Sequence, residues 1–125
     1  MKTHIQMKTT LVALATTFGY SALFGFRTDY SGHYIAGFGA VVVLMALGWR
    51  PAAAALGLIA FGILTEATVF RLAIFDPVDF YNQSLGACLA ALCLAGRVSP
   101  KSAVPLGILG VLFILSGFAL SYGSI

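Results

Sequence analysis

The chain alternates between long apolar runs and short polar breaks. Five runs have the length of helices that approach the roughly 30 Å thickness of a bilayer's hydrocarbon core. They cover residues 9–26, 33–49, 52–70, 79–95 and 104–122. Because the breaks are too short to hold a folded domain of their own, the pattern predicts a single all-α transmembrane bundle of five spans over residues 1–125.

Composition points to the same class of protein. Hydrophobic residues make up 60% of the chain and charged residues 9%, whereas soluble domains carry about 25% charged residues. A soluble domain and a disordered chain are both excluded. The net charge of +3 comes without a basic run, so the expected partner is the lipid bilayer and not nucleic acid. Cys88 and Cys93 lie in one apolar run and are interpreted as small packing residues.

Charge asymmetry predicts the orientation in a bacterial cytoplasmic membrane. With the N-terminus inside, five basic residues fall on the cytoplasmic side: Lys2, Lys8, Arg50, Arg97 and Lys101. Only Arg27 and Arg71 fall outside, and the C-terminus lies outside after five spans. The first run resembles a signal peptide but is interpreted as a retained helix, and either Met1 or Met7 is a suitable initiator.

This topology gathers the acidic residues of the chain at the outer face. The predicted polar cluster, a candidate ligand site, consists of Asp29, His33, Glu66, Asp79, Asn82 and Gln83. Asp76 and the arginines Arg27 and Arg71 are expected to form structural ion pairs beside it. Ionisable groups near hydrocarbon are costly and are candidates for function by default.

The cluster carries a recognisable motif order. Asp29-x-x-x-His33 precedes Gly62-x-x-x-Glu66, and Asp79-x-x-x-Gln83-x-x-Gly86-Ala87 follows. Over about residues 27–95, the chain resembles the VanZ-like family of small bacterial membrane proteins. The resemblance implies an integral membrane protein, associated in some members with glycopeptide-antibiotic resistance, and implies no settled chemical activity.

Three positions differ from the usual family pattern. Val69 stands where a glutamine is usual, and Gln83, next to Asn82, stands where an asparagine is usual. Arg71 comes early in its connector and no glycine precedes it.

Each candidate residue also has a structural interpretation. Glu66 is either a proton- or ligand-binding carboxylate or the buried partner of Arg27 or Arg71. Asp79 either binds a head group or caps its helix, whose first amides need an acceptor. The pair Asp29 and His33 is interpreted either as a proton relay or as half of a metal site. A metal is not expected, because zinc normally takes three or four protein ligands, and no cofactor is expected either.

No catalytic signature is present, so an enzyme is not predicted. Two functions remain open. In the first, the outer polar cluster recognises an envelope component, such as a lipid-linked or cell-wall head group. In the second, the protein is an accessory subunit of a larger membrane complex, respiratory or photosynthetic, and stabilises its assembly through apolar helix faces.

Overall fold

A computed structural model of the chain describes residues 2–23, 25, 28–67, 77–94 and 100–122. Within these residues the protein is all-helical, with five helices and no strands. The helices are α1 (Lys2–Leu23), α2 (Thr28–Ala46), α3 (Pro51–Ala67), α4 (Pro77–Leu94) and α5 (Pro100–Tyr122). The five predicted helices are therefore confirmed in number and order.

Helix boundaries follow local sequence signals. Helices α3, α4 and α5 each begin at a proline, which suits the first helical position because its missing N–H would be unpaired there. Helix α2 begins at Thr28, more than one turn before the predicted start at residue 33. As a result, Asp29 lies within the helix, one turn before His33.

The turn between α2 and α3 is fixed by a glycine C-cap. Gly48 has a φ of 103°, a left-handed conformation that glycine adopts without steric cost. The Gly48 amide donates to the Met45 carbonyl at 3.0 Å, and the Trp49 amide donates to Leu44 at 3.1 Å. This is a Schellman motif, and it explains why α2 ends at Ala46, short of the predicted residue 49.

Helix α2 is the centre of the bundle, since it contacts all four other helices. Its largest interface is with α5, followed by α4, and α4 in turn packs on α3. Phe38 and Met45 of α2 are fully buried, and Phe38 meets Phe113 of α5 edge to face at 5.9 Å between ring centroids. In the part of the chain that the structure describes, α3 and α5 do not contact each other.

Glycines bring α5 against α2 almost backbone to backbone. A Cβ built on Gly32 would lie 2.5 Å from the Gly117 carbonyl oxygen, and one on Gly117 equally close to that of Gly32. Seven residues along both helices, Gly39 and Gly110 meet in the same way. Numbering rises in one helix as it falls in the other, so α2 and α5 are antiparallel. Close approach at small residues is typical of packing between membrane helices.

Length and composition identify one candidate membrane span among the described residues, Lys101–Ser121 in α5. Tyr30–Ala46 and Pro51–Leu64 are shorter apolar helices. Many large apolar side chains are exposed on several helices, among them Phe18, Phe61, Leu92 and Leu115.

Candidate functional site

Polar side chains converge at one end of the bundle. This polar end is formed by the last turns of α1 and α5 and the first turns of α2 and α4. Its described members are Tyr20, Ser21, Ser31, His33, Tyr34, Asn82, Gln83 and Ser121. Three contacts between helices bring these residues together in space.

The first contact joins α1 to α2. The hydroxyl groups of Ser21 and Ser31 are hydrogen-bonded to each other. One turn away, the rings of Tyr20 and Tyr34 stack with their centroids 4.9 Å apart. Both tyrosine rings are buried, so the polar end has an aromatic layer directly beneath its hydroxyl groups.

The second contact joins α2 to α5 through His33. Nδ1 of His33 lies 3.4 Å from the Ser121 hydroxyl, and the donor depends on the tautomer of the ring. A Cβ built on Gly32 would also meet the Ser121 side chain. The glycine therefore allows α5 to approach closely enough for Ser121 to reach His33.

The third contact sets α4 against α2. A Cβ built on Gly86 would meet the carbonyl oxygen of Tyr34 and lie 2.9 Å from the Phe38 amide nitrogen. A Cβ on Gly37 would meet the backbone of Gln83. These two glycines hold the first turns of α4 at the level of Tyr34, which places Asn82 and Gln83 at the polar end.

Asn82 is buried at this end, with 1% of its surface exposed, as is Tyr34. Within the described residues, its Nδ2 amide has no hydrogen-bond acceptor, and neither has the buried hydroxyl of Ser84. Leaving such a group unpaired costs about 1–3 kcal/mol. A buried amide donor with no acceptor among the described residues is a candidate to bind a polar group of a ligand.

Gln83 is partly buried and lines one part of an apolar groove between α3 and α5. This part has a volume of about 220 Å³, and its other lining residues are apolar. Phe118 of α5 lines the same part, one turn before Ser121. The polar end and the groove are thus adjacent at Gln83.

The described basic residues lie toward the other end of the bundle. Arg50 directly follows the C-terminal turn of α2, and Lys101 is in the first turn of α5. Lys8 lies in the N-terminal part of α1, about 18 Å before Tyr20 at 1.5 Å per residue. All three side chains are exposed.

The predicted site residues fall into two groups. His33, Asn82 and Gln83 are described, and the structure brings them to one end of the bundle. Asp29, Glu66 and Asp79 lie in α2, α3 and α4, but their side chains lie outside the described residues. The predicted ion-pair residues Arg27, Arg71 and Asp76 lie outside them as well, so the pairing of Glu66 stays a prediction.

Sequence reasoning missed several members of the polar end. The apolar pattern predicts Ser121 only as part of the last span, and Tyr20 and Tyr34 only as parts of the first two. Position in the sequence could have identified them, because each lies within one or two turns of a helix end that the predicted topology places at the outer face. Only the antiparallel pairing of α2 with α5 brings Ser121 to His33.

Among the described residues, no group of three or more His, Cys, Asp or Glu side chains is placed to hold a metal ion. Both cysteines are free thiols, with Cys88 exposed and Cys93 buried.

Comparisons of the whole chain with family models, curated proteins and solved structures found no match.

Proposed function

We propose that the chain is a VanZ-like protein of the bacterial cytoplasmic membrane whose polar end recognises an envelope component without catalysing a reaction. In this proposal all five helices cross the bilayer, with the N-terminus in the cytoplasm and the C-terminus outside. The expected component is a lipid-linked or cell-wall head group, bound by the outer polar cluster.

The observation that carries the proposal is the buried amide of Asn82. It lies at the end of the bundle that also holds Gln83 and the His33–Ser121 pair, and its Nδ2 has no acceptor among the described residues. A bundle stabilised only by packing gains nothing from such a group, because an apolar side chain of similar shape would avoid the desolvation cost. A polar ligand that accepts from Nδ2 offsets that cost.

Two further features support a membrane setting. Large apolar side chains are exposed on α1, α3 and α5, and soluble monomers rarely expose contiguous apolar patches above a few hundred Å². The described basic residues and the polar end also lie at opposite ends of the bundle, as the positive-inside rule requires for the proposed orientation.

Co-purification tests the proposal. The tagged protein is extracted in a mild detergent, and bound lipids and glycans are identified by mass spectrometry, with Asn82→Leu and Gly19→Ala variants run in parallel. We expect an envelope lipid or glycan with the wild type and with Gly19→Ala, which lies where an added Cβ meets nothing within 4 Å. The Asn82→Leu variant should lose it.

The second function, an accessory subunit of a larger membrane complex, is favoured by the same exposed apolar side chains, which would pack on partner helices. If the wild type co-migrates with other membrane proteins and carries no envelope component, the accessory role replaces recognition.

A further inference from the structure

An apolar groove runs along the side of the bundle where α3 and α5 flank α2. It has two parts, with volumes of about 370 and 220 Å³. Four residues line both parts and make them continuous: Ala40, Leu58, Phe61 and Ile114. The groove exists because α3 and α5 both pack toward α2 without contacting each other in the described chain.

The groove has different chemistry at its two ends. Gln83 and Phe118 lie at the end of the groove near the polar end of the bundle. Trp49 and Gly57 lie at the opposite end of the groove. The floor between them is made of small residues of α2, including Gly37 and Ala40. From Ala36 to Leu44 the floor extends roughly 12 Å at 1.5 Å per residue.

The groove is apolar along its length and ends at Gln83, beside the polar end. This arrangement matches a molecule that has an alkyl chain and a polar head group. The alkyl chain is apolar throughout and can lie between the exposed rings of Phe61 and Phe118.

The neighbouring side chains define the head group. Gln83 at the groove end, Asn82 beside it in sequence, and the His33–Ser121 pair offer amide, hydroxyl and imidazole groups. Such a set of hydrogen-bond donors and acceptors is suited to a hydroxyl- or amide-rich head group, as in a sugar.

We propose that this groove holds the alkyl chain of a lipid-linked sugar while Gln83 and its neighbours at the polar end bind the sugar. The inference rests on the proposed function and narrows it, because it selects a lipid-linked ligand over a free cell-wall fragment. It also assigns the chain to the side of the bundle between α3 and α5.

A second groove of the bundle supplies a matched control. It has a volume of about 440 Å³ and is lined by apolar residues of α2 and α5 that include Val43, Ala103 and Ile108. None of the described residues that line it has a polar side chain, so it should show no preference among head groups.

The experiment uses the full chain in phosphatidylcholine nanodiscs with an alkyl N-acetylglucosaminide that carries a diazirine at mid-chain. The same alkyl chain on phosphocholine is the comparison probe, and methyl N-acetylglucosaminide is the soluble competitor. Ala40→Phe fills the junction of the two groove parts, Ala103→Phe makes the same change in the control groove, and Gln83→Leu removes the amide. Thermal unfolding and elution volume verify that each variant folds.

We expect the sugar-headed probe to label α2, α3 and α5 peptides of the groove. Ala40→Phe should lower this labelling by about tenfold, a 1.4 kcal/mol change in binding, while Ala103→Phe leaves it unchanged. Gln83→Leu should abolish the preference for the sugar over phosphocholine. If Ala40→Phe does not fold, competition replaces it. Unlabelled alkyl glucosaminide should then displace the probe from the groove peptides, and methyl glucosaminide should not.

Two results overturn the groove assignment and leave the proposed function standing. One is equal competition by methyl and alkyl glucosaminides with no effect of Ala40→Phe, because the head group is then bound without its chain. The other is equal labelling by both probes in the wild type. If neither glucosaminide binds and co-purification also finds no envelope component, the recognition function fails together with the inference.

Discussion

At the scale of single residues, glycines determine how closely the helices approach. Gly86 and Gly37 set α4 against α2, and reciprocal glycine contacts set α5 against it. At each of these positions an added methyl group would meet main-chain atoms, which cannot rotate away as a side chain does. The polar end depends on these contacts, since they bring Asn82 and Ser121 to α2.

Gly86→Ala should therefore destabilise the protein even though alanine is the better helix former. The added Cβ would meet the backbone of Tyr34 and Phe38, and overpacking of this kind costs about 1–3 kcal/mol. Gly19→Ala is the control, because an added Cβ there meets nothing within 4 Å and gains up to about 1 kcal/mol of helix propensity. Thermal unfolding in detergent should show a lower midpoint for the first variant only, and equal midpoints would contradict the close contact.

Asn82 permits a test that separates ligand binding from stability. Because its Nδ2 is buried without an acceptor among the described residues, Asn82→Leu should leave the free energy of unfolding unchanged or raise it by about 1 kcal/mol. Binding of the envelope component should nevertheless be lost. A variant that unfolds well below the wild-type temperature would instead identify Asn82 as a structural residue.

At the scale of helices, glycines spaced seven residues apart set the register between α2 and α5. Gly32 and Gly39 face Gly117 and Gly110, and farther along the interface Gly107 faces Ala46. The repeat keeps one face of each helix in contact over most of its length, as in left-handed helix packing.

Ala46→Cys together with Gly107→Cys should form a disulfide. A Cβ built on Gly107 lies 3.6 Å from the Ala46 Cβ, within the 3.5–4.5 Å range of natural disulfides. Both native cysteines are replaced by alanine, and oxidation is followed by mass spectrometry of the peptides. Ala46→Cys with Ser116→Cys is the control, since Ser116 is about 13 Å farther along α5. Cross-linking of the control pair alone would refute the antiparallel arrangement.

At the scale of the whole molecule, sequence reasoning predicted the helices well and their neighbours only in part. Apolar runs determine each helix locally, and a proline starts three of the five. The apolar run predicts that α2 ends at Trp49, whereas the positive φ of Gly48 stops the helix at Ala46. The meeting of Ser121 with His33 depends on a contact between residues 88 positions apart, which periodicity in a single sequence does not specify.

The five-span topology is testable in intact cells. In a background without native cysteines, a cysteine added after Ile125 should react with a membrane-impermeant maleimide, because the C-terminus is proposed to lie outside. Leu47→Cys, exposed in the turn after α2, should react only after permeabilisation. The reverse pattern would invert the orientation, and reaction of both without permeabilisation would rule out an odd number of spans between the two positions.

The turn that ends α2 has an optical consequence. Trp49 is the single tryptophan of the chain. Its ring lies over Gly57, at the end of the groove between α3 and α5 that is farther from the polar end. Tryptophan emission therefore reports on the occupancy of this end of the groove. An alkyl glucosaminide brominated near the end of its chain should quench this emission, whereas one brominated next to the sugar should leave it bright.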